Sequence, residues 1–287
     1  MADRTTTSRP LGPAAPVEGR PAAGGLAAHG LTLAYDGRVV VEGLDLVVPD
    51  GELTAVIGPN GCGKSTLLKA LSRTLVPREG SATLAGRDLR GYRSKELARR
   101  LALLPQSPVA PDSLRVRDLV ARGRYPYHSL LRQWHPDDER VVARALGTTG
   151  VTALADRPVA DLSGGQRQRV WLAMVLAQDT DHVLLDEPTT FLDLAHQIEI
   201  LELCQDLQAA GKTVVAVLHD LNQAARYATH LVVMKDGAVV AQGDPREVMT
   251  AGLVEDVFGL ACDVVTDPQS GAPMVVPLTR EARAARA

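Results

Sequence analysis

With 287 residues, 45% hydrophobic and 23% charged, the chain has an ordinary globular composition and can bury a sizeable core as one large domain or two small ones. Its 34 acidic and 31 basic residues leave a net charge of −3, which gives no global electrostatic reason to expect nucleic acid or an anionic membrane surface as partner. Cys62, Cys204 and Cys262 are too widely spaced for a disulfide framework or zinc ligation, and no apolar run approaches the roughly 18 residues of a membrane span, so a reducing cytosol is the expected compartment.

Residues 1–25 are rich in Ala, Pro, Gly, Thr and Arg and lack the apolar core of a secretory signal; they read as a disordered tail. Alternation over residues 26–49 predicts two or three antiparallel strands, two of them joined by a turn at Asp36 and Gly37. Tyr35 precedes that turn. Its ring either stacks on a ligand held in the adjacent loop or packs on the sheet.

The apolar run LTAVI at 53–57 predicts a short buried strand, and TLLKALSRTL at 66–75 has helical periodicity. Between them lies GPNGCGKST, residues 58–66. Gly58, Gly61 and Gly63 let the backbone turn its N–H groups inward, and the following helix brings its positive end to the same place, so an anion of several charges would be held there. Lys64 would reach the β- and γ-phosphates, the Ser65 hydroxyl would ligate Mg²⁺, and Thr66 would help hold the loop. Cys62 is either a small inert side chain or a thiol whose modification blocks the site by bulk.

Residues 74–89 predict a turn and a strand, and YRSKELARRLALLPQ at 92–106 a short helix and an apolar strand ending at Gln106. If that strand lies next to the phosphate-loop strand, the Gln106 carbonyl would reach the Mg²⁺ or the attacking water; otherwise it is an ordinary loop residue. Residues 113–124 and 138–151 look helical, joined by PYHSLLRQWHP at 126–136, and read as a helical insertion. It ends in LSGGQRQRVWLAMVLAQD at 162–179. This places Ser163, Gly164 and Gly165 at a helix start, as a second anion site or a plain N-cap.

HVLLDEP at 182–188 predicts a buried strand with Asp186 and Glu187 at its C-terminal end, where ligands of open parallel sheets bind. Beside a phosphate loop, Asp186 is suited to hold Mg²⁺ through its water shell and Glu187 to polarise the water attacking the γ-phosphate. An amphipathic helix ending at Gly211 follows, then TVVAVLHD at 213–220, a strand with His219 at its end, on the same sheet edge as Asp186. Further strands, a turn at Asp236 and Gly237 and one helix over residues 244–259 lead to about residue 276, and REARAARA reads as a frayed helix or loose tail.

These separated motifs together resemble the ATP-binding subunit of an ABC transporter. The resemblance implies that Tyr35 stacks on adenine and that Gly58, Pro59, Asn60, Gly61, Cys62, Gly63, Lys64, Ser65 and Thr66 form the Walker A loop around ATP. It makes Gln106 the Q-loop glutamine and LSGGQ the family signature, with Ser163, Gly164, Gly165 and Gln166 on nucleotide. Asp186 and the catalytic Glu187 close the Walker B strand, Asp193 belongs to the D-loop and His219 is the switch histidine. ATP and Mg²⁺ are the implied cofactors, with Ser65, Gln106 and Asp186 around the metal. The implied fold is an α/β P-loop NTPase core, a mixed sheet with flanking helices and an antiparallel β subdomain, spanning 26–276. A helical subdomain is inserted at about 107–175, and 277–287 is a tail. Walker A alone occurs in many nucleotidases, whereas LSGGQ upstream of LLDEP is specific to the ABC class.

In that family the two anion sites face each other only across a head-to-tail dimer. The expected partners are therefore a second ATP-binding subunit, most simply a homodimer, and a multi-helix membrane permease docked on residues 107–159. An extracytoplasmic substrate-binding protein is an indirect partner, nucleic acid is not one, and the chain is expected peripherally on the cytoplasmic face of the membrane. ARGRYPY at 121–127, FLDLAHQIEIL at 191–201, LHDLNQAARYATH at 218–230 and the pattern over 256–278 look like importer ATPases for iron–siderophore complexes, with haem and cobalamin importers close by. Ferric siderophore import is the expected function. Cobalamin, haem or metal import is the alternative within the class, and a soluble ABC ATPase of repair, translation or iron–sulfur assembly the alternative outside it.

Overall fold

The first layer is an antiparallel one. In the computed structural model, which describes residues 25–286 except 112, 130–134 and 191, β1 (Leu26–Tyr35) and β2 (Arg38–Val48) pair across the two-residue turn at Asp36 and Gly37. The two or three strands expected there are two. The expected disordered tail lies outside the described residues apart from Gly25.

β3 (Leu53–Ile57) is buried at every position and runs into the glycine-rich loop, and α1 (Lys64–Leu71) leaves it. β4 (Glu79–Leu84) and the short β5 (Arg87–Asp88) complete a four-stranded sheet in the order β2–β1–β4–β5. α2 (Ser94–Ala98) and β6 (Leu101–Leu104) come next. α3 (Val116–Ala121), a 3₁₀ stretch at Arg122–Tyr127, α4 (Pro136–Thr148) and α5 (Gly164–Ala177) make the helical layer, packed through Val116, Leu119, Val142, Leu146, Val170 and Trp171.

The chain then alternates strand and helix: β7 (His182–Asp186), α6 (Leu194–Ala209), β8 (Thr213–Val217), α7 (Leu221–Tyr227), β9 (His230–Lys235) and β10 (Ala238–Gly243). The single helix expected over residues 244–259 is two, α8 (Pro245–Val248) and α9 (Ala251–Phe258). The break has a local cause: Thr250 is extended and its hydroxyl accepts from the Leu253 N–H, starting a new helix. β11 (Cys262–Thr266) and β12 (Pro273–Pro277) form a hairpin, followed by α10 (Arg280–Arg286).

The central sheet has the order β10–β9–β3–β8–β7–β6, parallel throughout except for β10 at one edge. The condition set for Gln106 is therefore not met. β6 is separated from the phosphate-loop strand β3 by β7 and β8 and lies instead beside β7. Strand alternation divides the core in two. Leu53, Ala55, Ile57, Val183, Leu185, Val214 and Ala216 face the helical layer. Val56, Leu184, Val215 and Val217 face Leu67, Leu68 and Leu71 of α1 and Leu31 and Leu33 of the antiparallel sheet. The sheet is thus the middle of three layers, and the ends of β3, β6, β7 and β8 share one edge.

Candidate active site

The loop from Gly58 to Lys64 is fixed by close approach as much as by hydrogen bonds. Gly58 has φ +155°, and a Cβ there would sit 2.2 Å from the Met234 carbonyl oxygen of β9. Lys64 is buried and folds back, its Nζ donating to the carbonyls of Gly58 (2.8 Å) and Pro59 (2.9 Å). Asn60 and Gly61 are the exposed tip, whereas Cys62 turns into the core against the antiparallel sheet. Burial pushes the Cys62 thiol above its usual range in spite of the nearby Lys64. That is the inert reading of Cys62.

Ser65 and Asp186 meet across the edge. The Ser65 hydroxyl donates to Asp186 Oδ1 at 2.7 Å, from the start of α1 to the end of β7. Burial raises the Asp186 pKa, with the Ser65 bond opposing the rise only in part.

Glu187 gathers the largest group. Its φ of +53° is a left-handed conformation that non-glycine residues seldom adopt, and it turns the side chain out of the strand. Glu187 Oε1 lies 2.7 Å from His219 Nε2, and Oε2 accepts from Gln106 Nε2 (2.7 Å) and from the Thr190 hydroxyl (3.1 Å). Burial alone would raise this carboxyl. The hydrogen bonds from His219 and Gln106 more than offset it and hold the pKa below the ordinary glutamate value. Gln106 thus reaches the site from β6 through Glu187. Thr190 had no signal in the sequence beyond its place after DEP.

Ser163, Gly164, Gly165, Gln166 and Asp193 make their bonds elsewhere, at the starts of α5 and α6. Ser163 and Gln166 form a reciprocal capping box: the Ser163 hydroxyl accepts from Gln166 N–H (3.3 Å) and Gln166 Oε1 from Ser163 N–H (3.1 Å). Gly164 and Gly165 open α5, and a Cβ on Gly165 would lie 3.4 Å from Leu192 and 3.9 Å from His196. Asp193 caps α6, its Oδ1 accepting from His196 N–H (3.0 Å) and lying 2.6 Å from His196 Nδ1. Tyr35 is 40% exposed, with the Lys69 ammonium of α1 5.8 Å from its ring centre. It is not packed away on the sheet.

Residues 41–190, which contain the glycine-rich loop, LSGGQ and LLDEP, match the family described as ABC transporter. The chain belongs to that family. This ABC ATP-binding subunit is 54% identical over 253 residues to the ferric enterobactin transport ATP-binding protein FepC of Escherichia coli (strain K12), covering 88% of the chain and 93% of the relative. It is 52% identical over 252 residues to the achromobactin transport ATP-binding protein CbrD of Dickeya dadantii (strain 3937), covering 88% and 94%. Among solved structures, one described as a metal-chelate type ABC transporter in an inward-facing conformation superposes with a TM-score of 0.76 at 29% identity, covering 90% of this chain and 99% of that one. The dimeric bacterial cassette MJ0796 superposes with a TM-score of 0.68 at 25% identity, covering 76% and 98%. As an ABC ATP-binding subunit, the chain binds ATP and is an ATPase whose hydrolysis is coupled to transport.

Proposed function

We propose that this subunit hydrolyses ATP to drive import of ferric siderophores through a membrane permease. The observation that carries the catalytic part is the Glu187 carboxylate, held by His219, Gln106 and Thr190 beside the Ser65–Asp186 pair. An ionised carboxylate at a parallel strand end can take a proton from water, which is the work of a general base.

Residues 58–66 are the ATP-phosphate cradle in this reading. The Lys64 ammonium, held on the Gly58 and Pro59 carbonyls, has its charge ready for phosphate oxygens. Ser65 and Asp186 fit Mg²⁺: both offer hard oxygen donors, and the carboxylate is buried with its charge answered chiefly by one hydroxyl, a cost that a cation offsets. The Gln106 carbonyl is the third oxygen. When bound, Mg²⁺ neutralises charge on the phosphate oxygens. Among the described residues no cluster of three His, Cys, Asp or Glu could hold a metal, which suits an ion shared with phosphates rather than caged by protein.

Tyr35 stacks on the adenine. Ser163, Gly164, Gly165, Gln166 and Asp193 lie on the face that meets a second ATP-binding subunit, most simply a copy of this chain, so that each signature helix closes on the other subunit's ATP. ATP holds such a dimer shut and product release opens it, a two-state element that a permease can follow. No helix among the described residues is long and apolar enough to cross a membrane. In this reading the subunit attaches at the cytoplasmic face through the permease, with a substrate-binding protein as the indirect outer partner.

The substrate class rests on the enterobactin and achromobactin relatives. Haem is the second reading, favoured by the hemin import protein HmuV of Streptomyces coelicolor, which is 44% identical and covers 96% of both chains. Uptake of labelled ferric siderophores and of haem by iron-starved cells lacking this chain separates them. Loss of siderophore uptake, restored by the wild type and not by Glu187→Gln, is the expected result. Siderophore uptake untouched while haem uptake is lost would sink the iron–siderophore assignment.

A further inference from the structure

The loop after β7 carries Glu187, Thr190 and Asp193, and α6 starts directly behind it. Gln197, in the first turn of α6, donates from Nε2 to the Leu192 carbonyl (3.0 Å) and also lies 3.4 Å from the Thr189 carbonyl. Its Oε1 accepts a 2.7 Å bond from Gln223 Nε2 on α7. The Gln223 N–H in turn donates to Asp220 Oδ1 (2.9 Å), the N-cap of α7 and the neighbour of His219. On its other side α7 is clamped to β12, where Asn222 Nδ2 donates to the Val275 carbonyl (3.2 Å) and Asn222 Oδ1 accepts from the Val275 N–H (2.7 Å). Two side-chain amides therefore link the backbone of the Glu187 loop to the helix that begins beside His219.

We propose that Gln197 and Gln223 are positioning residues for hydrolysis, keeping the Glu187 loop and the His219 helix in register so that His219 stays on the Glu187 carboxylate. The proposal rests on the reading above, in which Glu187 and His219 act together on ATP. Glu187 is left-handed, and such a conformation persists only where its surroundings over-determine it. The carbonyls of Thr189 and Leu192 are the nearby handles. Glutamine suits position 197 because one planar group must both donate to carbonyls and accept from Gln223; methionine fills a similar volume but cannot donate and accepts only weakly through its sulfur.

The test is steady-state ATP hydrolysis by the full-length chain as wild type, Gln197→Met, Gln223→Met, the double variant and Gln197→Glu, with urea unfolding as the check on folding. A small misplacement of a reacting group costs rate rather than substrate binding, so each methionine variant should lower kcat about tenfold and leave KM for ATP within about twofold. The relay breaks only once, so the double variant should match the slower single variant within about twofold. Gln197→Glu keeps the acceptor for Gln223 but loses the donor to the carbonyls, and should be as slow as Gln197→Met. Should a methionine variant not fold, the isosteric Gln197→Glu carries the same comparison. Wild-type kcat in a folded single variant, a double variant slowed by the product of the two losses, or a raised KM at unchanged kcat each overturns the proposal. Glu187→Gln, run alongside, separates the two failures. Its retained turnover overturns the hydrolysis reading and this proposal with it, whereas its inactivity beside unaffected glutamine variants overturns this proposal alone.

Discussion

Asp138→Asn should destabilise the fold by about 3–5 kcal/mol, the usual cost of removing one partner from a buried ion pair. The Asp138 side chain is 3% exposed and that of Arg124 8%, with Nε and Oδ1 2.8 Å apart. The second carboxylate oxygen accepts from the His135 N–H (3.0 Å) and lies 3.2 Å from His128 Nε2. Arg124 also donates to the Ala177 carbonyl at the end of α5 (3.0 Å) and sits 3.9 Å from the Tyr127 ring centre. An asparagine keeps the shape but turns one acceptor into a donor facing other donors, and leaves the buried guanidinium without its carboxylate. Total stabilities are only about 5–15 kcal/mol, so the loss is a large fraction. Replacing both partners, Arg124→Met with Asp138→Leu, should cost much less, because no charge is stranded.

Urea unfolding followed by the fluorescence of Trp171, buried on α5, reads both results. Burial pushes the Asp138 carboxyl up, but the hydrogen bonds from Arg124, the His135 N–H and His128 more than offset it and hold its pKa below the usual range. With the folded value below the unfolded one, the pair's contribution is full above about pH 4 and fades as pH falls through the folded pKa. The asparagine variant should lack that acid-side loss. A cost under about 1 kcal/mol for Asp138→Asn, or a double variant less stable than the single, refutes the reasoning.

Two further outcomes are expected. A Cβ on Gly123 would lie 2.3 Å from the Met174 carbonyl oxygen, so Gly123→Ala should push the Arg122–Tyr127 stretch off α5 and destabilise by about 1–3 kcal/mol in the same urea experiment, with ATP affinity unchanged. Burial raises all three thiols, Cys204 to about 12 and Cys62 and Cys262 in the same direction, so maleimide at neutral pH should label the chain only in denaturant. Rapid labelling of Cys62 in the native chain contradicts its buried placement.

Much of this site is written locally. The five-residue apolar runs that became β3 and β8, and the capping signal at Ser163, depend on neighbours within a few residues, and they are legible for that reason. Strand order is not local. Nothing in residues 101–106 says that β6 pairs with β7, so the route by which Gln106 reaches the site, through Glu187, waited on the sheet. The same holds for side chains meeting across long separations. Arg124 and Asp138 lie 14 residues apart on different helical segments, and Gln197 and Gln223 lie 26 apart on α6 and α7. Each of these residues alone looks like an ordinary solvated polar group. The split between α8 and α9 was readable, since Thr250 is a good N-cap residue, but continuous helical periodicity on both sides masked it.

The most direct measurement of the central claim compares ATP binding and ATP hydrolysis by the wild type and Glu187→Gln. The amide keeps the shape of the carboxylate and its place beside His219 but cannot take a proton. Nucleotide affinity should be retained while turnover falls by about 10²–10⁴-fold. Turnover close to that of the wild type, with ATP still bound, would contradict the assignment of Glu187 as the base that activates water.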